Sequence, residues 1–164
     1  MDFWRFLLTP EKIQRLLKEK SIRIKERNPV EARSYVNAAE KIAHFTLTLA
    51  PTEENATMIF RELYECIRQL GDALWLLKGY ESQTHDATLA LLKELEIPHK
   101  VKLHFLDRYN IIRHDANYRG ILASVDQAKE IIEFWKECSS EIIHLIDEKL
   151  KEKPLFKQSG VIFK

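Results

Sequence analysis

The chain has 164 residues, of which 45% are hydrophobic and 31% are charged, and its formal net charge at pH 7 is +1. This composition excludes collagen-like, low-complexity and disordered proteins, and the near-neutral charge excludes long-range electrostatic attraction to nucleic acids or membranes. The length predicts a single domain over residues 1–164, with an apolar N-terminal segment at 1–9 and a tail at 154–164.

Residues that start and stop helices divide most of the chain into six segments. They are Thr9-Pro10, Asn28-Pro29, Thr52 before Glu53-Glu54, Gly79, Gly120, and Ser124 with Gln127. Serine, threonine and asparagine cap helix N-termini, proline suits the first helical position, and glycine favours the position after the last turn. Helices are therefore predicted at 10–27, 29–49, 53–78, 84–96, 99–119 and 125–153, with Pro154 ending the last one.

Apolar residues recur at three- and four-residue steps in the long segments, which predicts one core-facing side on each helix. The third segment has Ile59, Leu63, Cys66, Ile67, Leu70, Leu74 and Leu77, and the sixth has Ala128, Ile131, Ile132, Trp135, Ile142, Ile143 and Ile146. Trp75 and Trp135 belong to these apolar faces, so we predict core packing for both. Only Gly160–Phe163 has a strand-like pattern. The predicted fold is all-α, an up-and-down helical bundle of five to six helices.

The cysteines and the N-terminus indicate the compartment. Cys66 and Cys138 lie far apart without the spacing of a zinc or redox motif, so we interpret them as buried thiols, with a disulfide as the alternative. Residues 1–8 lack the regions of a signal peptide, and no segment approaches the roughly 20 apolar residues of a membrane span. We expect a cytoplasmic protein that does not bind membranes.

The segment from His104 to Gly120 carries the residues best suited to chemistry. On a helix, its apolar stripe is Phe105, Tyr109, Ile112 and Ala116, and its polar row on the other side is Asp107, Asn110, His114 and Tyr118. Arg108, Arg113 and Asn117 flank these rows. A solvated helix face typically carries lysine and glutamate, whereas this one has groups that donate and accept hydrogen bonds, as phosphate or nucleotide chemistry requires.

An arginine followed by a histidine after four to six residues, late in a small helical domain, resembles the HEPN superfamily. Arg108 and His114 have this spacing, and Tyr118 is similar to the downstream tyrosine frequent in the family. The segments Lys78–Glu81 and Thr84–Asp86 also resemble the middle of that family, so the resemblance covers about residues 30–150.

The sequence departs from the HEPN pattern at one position. A polar residue usually follows the arginine directly, but here Tyr109 follows Arg108 and Asn110 comes one position later. A second alignment takes Arg113 through Tyr118 as the key segment. The departure bears on catalytic competence more than on the fold.

The resemblance implies metal-independent RNA cleavage, as in a toxin or defence nuclease. It implies that His114 is the acid/base, that Arg108 stabilises the phosphate, and that the substrate is positioned by Asn110, Arg113, Asp115 and Tyr118. Neutral histidine can take the proton of a ribose 2′-hydroxyl, so the reaction needs neither a metal nor a cofactor, and DNA is not a substrate. The resemblance also implies a homodimer that joins two copies of 99–120, a small nucleotidyltransferase as partner, and modification of Tyr118 by that partner.

Three alternatives remain open. One is a non-catalytic HEPN-like module that binds nucleotide, RNA or a partner protein. Another is a structural role, with His114 at a helix interface and Arg108 paired with a neighbouring carboxylate. The third is a metal phosphohydrolase, which the dipeptides His85-Asp86 and His114-Asp115 suggest, with His44 and Asp126 as further ligands.

Overall fold

The computed structural model describes residues 7–152 and confirms the all-α class. Its elements in chain order are α1 (Pro10–Lys18), β1 (Ile22–Ile24), α2 (Pro29–Thr46), α3 (Ala56–Lys78), β2 (Tyr80–Ser82), α4 (His85–Lys93), a 3₁₀ turn (Lys100–His104), α5 (Phe105–Tyr118) and α6 (Val125–Lys151). Within the described range, none of the helices combines the length and the apolarity that a membrane span requires.

Helix α3 is the centre of the bundle, with α2, α4, α5 and α6 packed around it. The apolar face predicted for α3 is buried, that of α6 is buried except for the partly buried Ile132 and Ile143, and both cysteines are buried and free. Trp75 is completely buried and its indole N–H donates to the carbonyl of Ala87 at 3.0 Å, while Trp135 is 6% exposed. The prediction that these two tryptophans belong to the core is confirmed.

Most of the predicted caps form as expected. The side chain of Thr9 accepts a hydrogen bond from the Lys12 backbone N–H, and Asn28 accepts one from Glu31. Ser124 and Gln127 form a complete capping box at the start of α6. These signals are confirmed because each cap needs only residues within one turn of the chain.

The predicted helix at 10–27 is wrong beyond Lys18, where α1 ends. Lys20 adopts a left-handed backbone with a φ of 58°, and the Ser21 N–H donates to the carbonyl of Leu16 at 2.9 Å. This is the pattern of a Schellman motif, which satisfies the last carbonyls of a helix and usually has glycine where Lys20 stands. Because this position holds a lysine and not a glycine, the sequence did not indicate that the helix ends here.

Two strands that the sequence did not predict follow from this early helix end. Ile22 to Ile24 pair antiparallel with Ser82 to Tyr80, and Ile22 is buried beneath the ladder. Gly79, with a φ of 91°, ends α3 and turns the chain into β2. Each strand has only three residues, so neither produces a readable alternation.

The other boundaries differ by a few residues. Helix α3 begins at Ala56 rather than 53, and the segment predicted as a helix at 99–119 starts with the 3₁₀ turn before α5. Helices α2 and α4 end at Thr46 and Lys93, before the predicted 49 and 96. Helix α6 ends at Lys151, whereas Pro154 and the strand-like Gly160–Phe163 lie outside the described residues.

Helix α4 lies unusually close to α3 because Gly71 has no side chain. A Cβ atom at Gly71 would lie 2.5 Å from Cγ2 of Thr88 and 3.0 Å from Cδ1 of Leu92. This close approach places His85, the first residue of α4, against Tyr64, roughly two turns before Gly71 on α3. The packing of α4 on α3 therefore determines where the His85 ring lies.

Candidate anion-binding cleft

Helix α5 presents a buried face, a face toward α3 and α4, and an outer face. Tyr109 and Leu106 are completely buried, and Phe105 and Ile112 pack against the core, largely as the predicted apolar stripe requires. The predicted polar row is divided: Asp107 pairs with Lys93 of α4, Asn110 turns inward, and His114 and Tyr118 are exposed.

Arg108, the predicted phosphate stabiliser, is bound to α6. Its guanidinium forms an ion pair with Glu130, and it lies 5.4 Å from the ring centroid of Phe105 and 5.7 Å from that of Tyr109. The charge of Arg108 is therefore compensated within the fold. No hydrogen bond or ion pair joins Arg108 to His114 in the described part of the chain.

His114, the predicted acid/base, lies on the outer face of α5. Its side chain is 58% exposed, its Nδ1 is 3.9 Å from Oδ1 of Asp115, and its ring centroid is 4.9 Å from that of Tyr118. Asp115 also pairs with Arg119 at 3.5 Å. His114, Asp115 and Tyr118 thus lie together on one surface, apart from the contacts of Arg108.

Two other predicted site residues, Asn110 and Arg113, meet residues of α3 and α4. Arg113 lines an open cleft of about 320 Å³ between the three helices. The cleft is lined by Arg61, Glu62, Tyr64, Glu65, Arg68, His85, Arg113 and Asn117. All eight side chains are polar or aromatic, which suits a charged ligand better than an apolar one.

A chain of hydrogen bonds runs from Arg113 to Asp86 along one side of this cleft. The Arg113 guanidinium contacts Nε2 of His85 and lies 3.2 Å from Nδ1 of the same ring, and this Nδ1 lies 3.1 Å from the Tyr64 hydroxyl. Tyr64 donates to Oδ1 of Asn110 at 3.0 Å, and Asn110 Nδ2 donates to Asp86 at 3.0 Å. Every member has its partner within hydrogen-bond distance, so the chain is continuous.

The two ends of this chain determine its direction. Arginine can only donate and an ionised carboxylate can only accept, so the proton of neutral His85 lies on Nδ1 and is donated to Tyr64. Nε2 is therefore the lone-pair nitrogen of His85, and it is the ring nitrogen nearer to the Arg113 guanidinium. The only nitrogen of His85 able to accept a proton is covered by a guanidinium group.

Burial and charge both keep His85 neutral. Partial burial lowers its pKa below the ordinary value of 6.5, and the neighbouring cations Arg113 and Arg68 lower it further. Burial raises the pKa of Tyr64 well above its usual range, so this phenol keeps its proton. At neutral pH the pair is an uncharged imidazole bonded to an uncharged phenol.

The three arginines of the cleft differ in how their charges are compensated. Arg68 is held between Glu65 and Asp72. By contrast, Arg61 and Arg113 have no carboxylate within 4 Å among residues 7–152, and Arg113 donates only to the neutral His85. Arginines elsewhere in the described chain pair with carboxylates, except Arg27, which donates to carbonyls at the end of α6.

Sequence reasoning missed most of this cleft. Tyr64, Arg61 and Arg68 were not singled out, and His85 with Asp86 was considered only within the HEPN resemblance and as part of a metal site. A signal existed on α5, since Asn110, Arg113 and Asn117 are three and four residues apart and share one helical face. Their partners on α3 and α4 lie far away in sequence, so no local pattern connects them.

The metal phosphohydrolase alternative needs a cluster of ligands. No group of three or more histidine, cysteine, aspartate or glutamate side chains is placed to hold a metal ion within residues 7–152. His85 instead contacts Arg113 and Tyr64, and His114 contacts Tyr118 and Asp115.

Comparison with protein-family models, with curated proteins and with solved structures found no match to this chain.

Proposed function

We propose that the protein is a metal-independent endoribonuclease of HEPN-like type and that the cleft between α3, α4 and α5 binds the phosphodiester of its substrate. The observation that carries this proposal is the pair Arg61 and Arg113, two guanidinium groups without a carboxylate partner that face the same cleft. Arg61 is exposed, but Arg113 is half-buried, and an uncompensated, half-buried cation is costly unless an anion binds it. Planar guanidinium groups match the oxygens of phosphate with paired hydrogen bonds.

The chemistry needs only the substrate, a cation and a proton acceptor. The 2′-oxygen attacks the adjacent phosphorus and the bond to the 5′-oxygen breaks, which leaves a 2′,3′-cyclic phosphate and a 5′-hydroxyl. Arg113 and Arg61 would stabilise the charge that develops on the phosphate oxygens. In this proposal the phosphate-stabilising role predicted for Arg108 passes to Arg113, because Glu130 already compensates Arg108.

The proposed enzyme is tested by incubating a mixed RNA pool with the purified protein in excess EDTA, beside a pool of the same sequences in 2′-deoxy form. We expect RNA to be cut to cyclic-phosphate ends and the deoxy pool to stay intact. The double variant Arg61→Ala/Arg113→Ala should abolish cutting. Its matched control is Arg23→Ala/Arg33→Ala, which removes the same charge from ion pairs outside the cleft and should cut normally. Folded wild-type protein that cuts no RNA would refute the nuclease and favour the binding-module alternative.

We also propose that the protein is a homodimer through the outer face of α5. Large apolar side chains are exposed there and in the loop that follows: Ile111, Tyr118, Ile121 and Leu122, which are 54–71% exposed. Several large exposed apolar side chains on one helix and the loop after it are characteristic of an interface. His114 lies within this surface and would meet its counterpart in the partner subunit.

We expect sedimentation equilibrium to give a dimer for the wild type and a monomer for Ile111→Glu/Leu122→Glu, because two buried charges at the interface would have no partners. Val30→Glu is the matched control, since Val30 is 79% exposed on α2 and should leave the dimer intact. A monomeric wild type, or equal dissociation of the control, would contradict this interface.

A further inference from the structure

We propose that His85 is the proton acceptor of the cleft and that Arg113 is its reversible cover, moving from Nε2 of His85 to a phosphate oxygen when the substrate binds. This inference rests on the proposed function, because it takes the cleft as the phosphodiester site. It assigns a catalytic role to a histidine outside the Arg108–His114 motif.

The covering contact is weak by comparison with what a phosphate offers. Arg113 contacts an uncharged imidazole and lies 5.6 Å from the ring centroid of Tyr64, and it has no ion-pair partner among the described residues. A phosphate carries a full opposite charge and accepts two parallel N–H bonds from one guanidinium, whereas an imidazole nitrogen is uncharged and accepts only one. An incoming phosphate therefore competes favourably for Arg113, whereas Arg68 stays bound to Glu65 and Asp72.

Uncovering gives His85 the properties of a general base. Its Nδ1 proton is held by Tyr64, so the tautomer is already the one whose free lone pair lies on Nε2. The chain through Asn110 to Asp86 keeps the ring oriented after Arg113 leaves. The base is thus prepared in advance and becomes available only with a phosphate in place, as preorganised catalysis requires.

Nε2 of His85 takes the proton of the 2′-hydroxyl as the 2′-oxygen bonds to phosphorus, and the departing 5′-oxygen takes a proton from water. Protonated His85 returns its proton to the hydroxide so formed. Only the substrate is consumed, because the water molecule is regenerated.

When Arg113 moves to the phosphate, the charge nearest to His85 should change from positive to negative. The charged and titratable groups around it are Arg113 from α5, Arg68, Glu65 and Tyr64 from α3, and Asp86 from α4. Moving the Arg113 charge away and placing an anion nearby both favour the imidazolium form. By linkage, the phosphodiester must bind more tightly as the pH falls through the pKa of His85.

The test is an NMR titration of the histidine ring protons with and without a 2′-O-methylated dinucleotide. This probe cannot be cleaved, and its single phosphodiester keeps its charge between about pH 5 and 8. We expect the pKa of His85 to lie below 6.5 in the free protein and to rise by about one at saturation. His99, which pairs with Glu141 on α6 at 2.6 Å, is the internal control and should not respond.

The variant Arg113→Gln separates the cover from the binding site. Without the cation, the pKa of His85 should already be raised in the free protein, and the probe should raise it less than in the wild type. A bound probe, detected by shifts of the Arg61 side-chain signals, that leaves the pKa of His85 unchanged would overturn the cover but not the phosphate site. If the wild-type protein does not bind the probe at all, both the cover and the phosphate site are overturned. The RNA-cutting assay tests the proposed nuclease separately, and its outcome can be told apart from either of these results.

Discussion

Arg113→Ala should lower the rate of RNA cleavage about 100- to 1,000-fold, the usual cost of removing one preorganised donor to a developing oxyanion. Arg108→Ala should lower it far less, because Glu130 already compensates that guanidinium on the side facing α6. The contrast separates the two alignments of the sequence, one centred on Arg108 and His114 and the other on Arg113 through Tyr118. The difference between the two variants is measured as initial rates of cleavage of one RNA substrate in EDTA.

Two further variants control this comparison. Arg113→Lys keeps the charge but loses the planar fork, so it should recover only part of the rate. Arg33→Ala breaks an ion pair with Asp147 that lies outside the cleft and should cleave at the wild-type rate. A larger loss from Arg108→Ala than from Arg113→Ala, in proteins with equal thermal stability, would return the phosphate-stabilising role to Arg108.

Gly71→Ala should reduce the free energy of unfolding by about 1–2 kcal/mol, although alanine favours helices by about 1 kcal/mol over glycine. The new Cβ would lie 2.5 Å from Cγ2 of Thr88. Thr88 cannot turn away, because its hydroxyl bonds to Asp72 and to Ser82, each at 2.8 Å. Helix α4 must therefore move outward and carry His85 away from Tyr64, so RNA cleavage should fall as well.

Thr88→Ser tests this mechanism in a double-mutant cycle. Serine keeps the hydroxyl and removes the clashing methyl group, at a cost of about 0.8 kcal/mol for the lost burial. The double variant Gly71→Ala/Thr88→Ser should be more stable than the sum of the two single losses predicts, as measured by urea unfolding. Losses that add within about 0.3–0.5 kcal/mol would mean that the Cβ of residue 71 and Thr88 do not interact.

The helix starts illustrate what short-range signals predict well. Thr9, Asn28 and Ser124 each cap the helix that follows them, and the apolar faces of α3 and α6 are buried as their periodicity indicates. The end of α1 illustrates the opposite case. Lys20 takes a left-handed backbone that glycine or asparagine would have signalled, so the predicted helix continued to 27 and β1 was missed.

The residues predicted for the candidate site also fall into two groups, those that lie at the cleft and those that do not. Sequence reasoning selected α5 and, among its residues, Asn110 and Arg113, which line or contact the cleft. It also selected Arg108 and His114, which the structure places on different sides of the helix, one against α6 and one exposed. The HEPN resemblance and the RNA-cleaving activity stay predictions that the experiments above address.

The sequence by itself determined the all-α class, the starts of α1, α2 and α6, and the apolar faces of α3 and α6, because these depend on contacts within a turn or two of the chain. Only the tertiary structure decided which rows of α5 meet other helices. The close approach of α4 at Gly71 brings His85 and Tyr64 to Arg113, three residues far apart along the chain. Helical periodicity places side chains on a face, but the packing of neighbouring helices decides what that face meets.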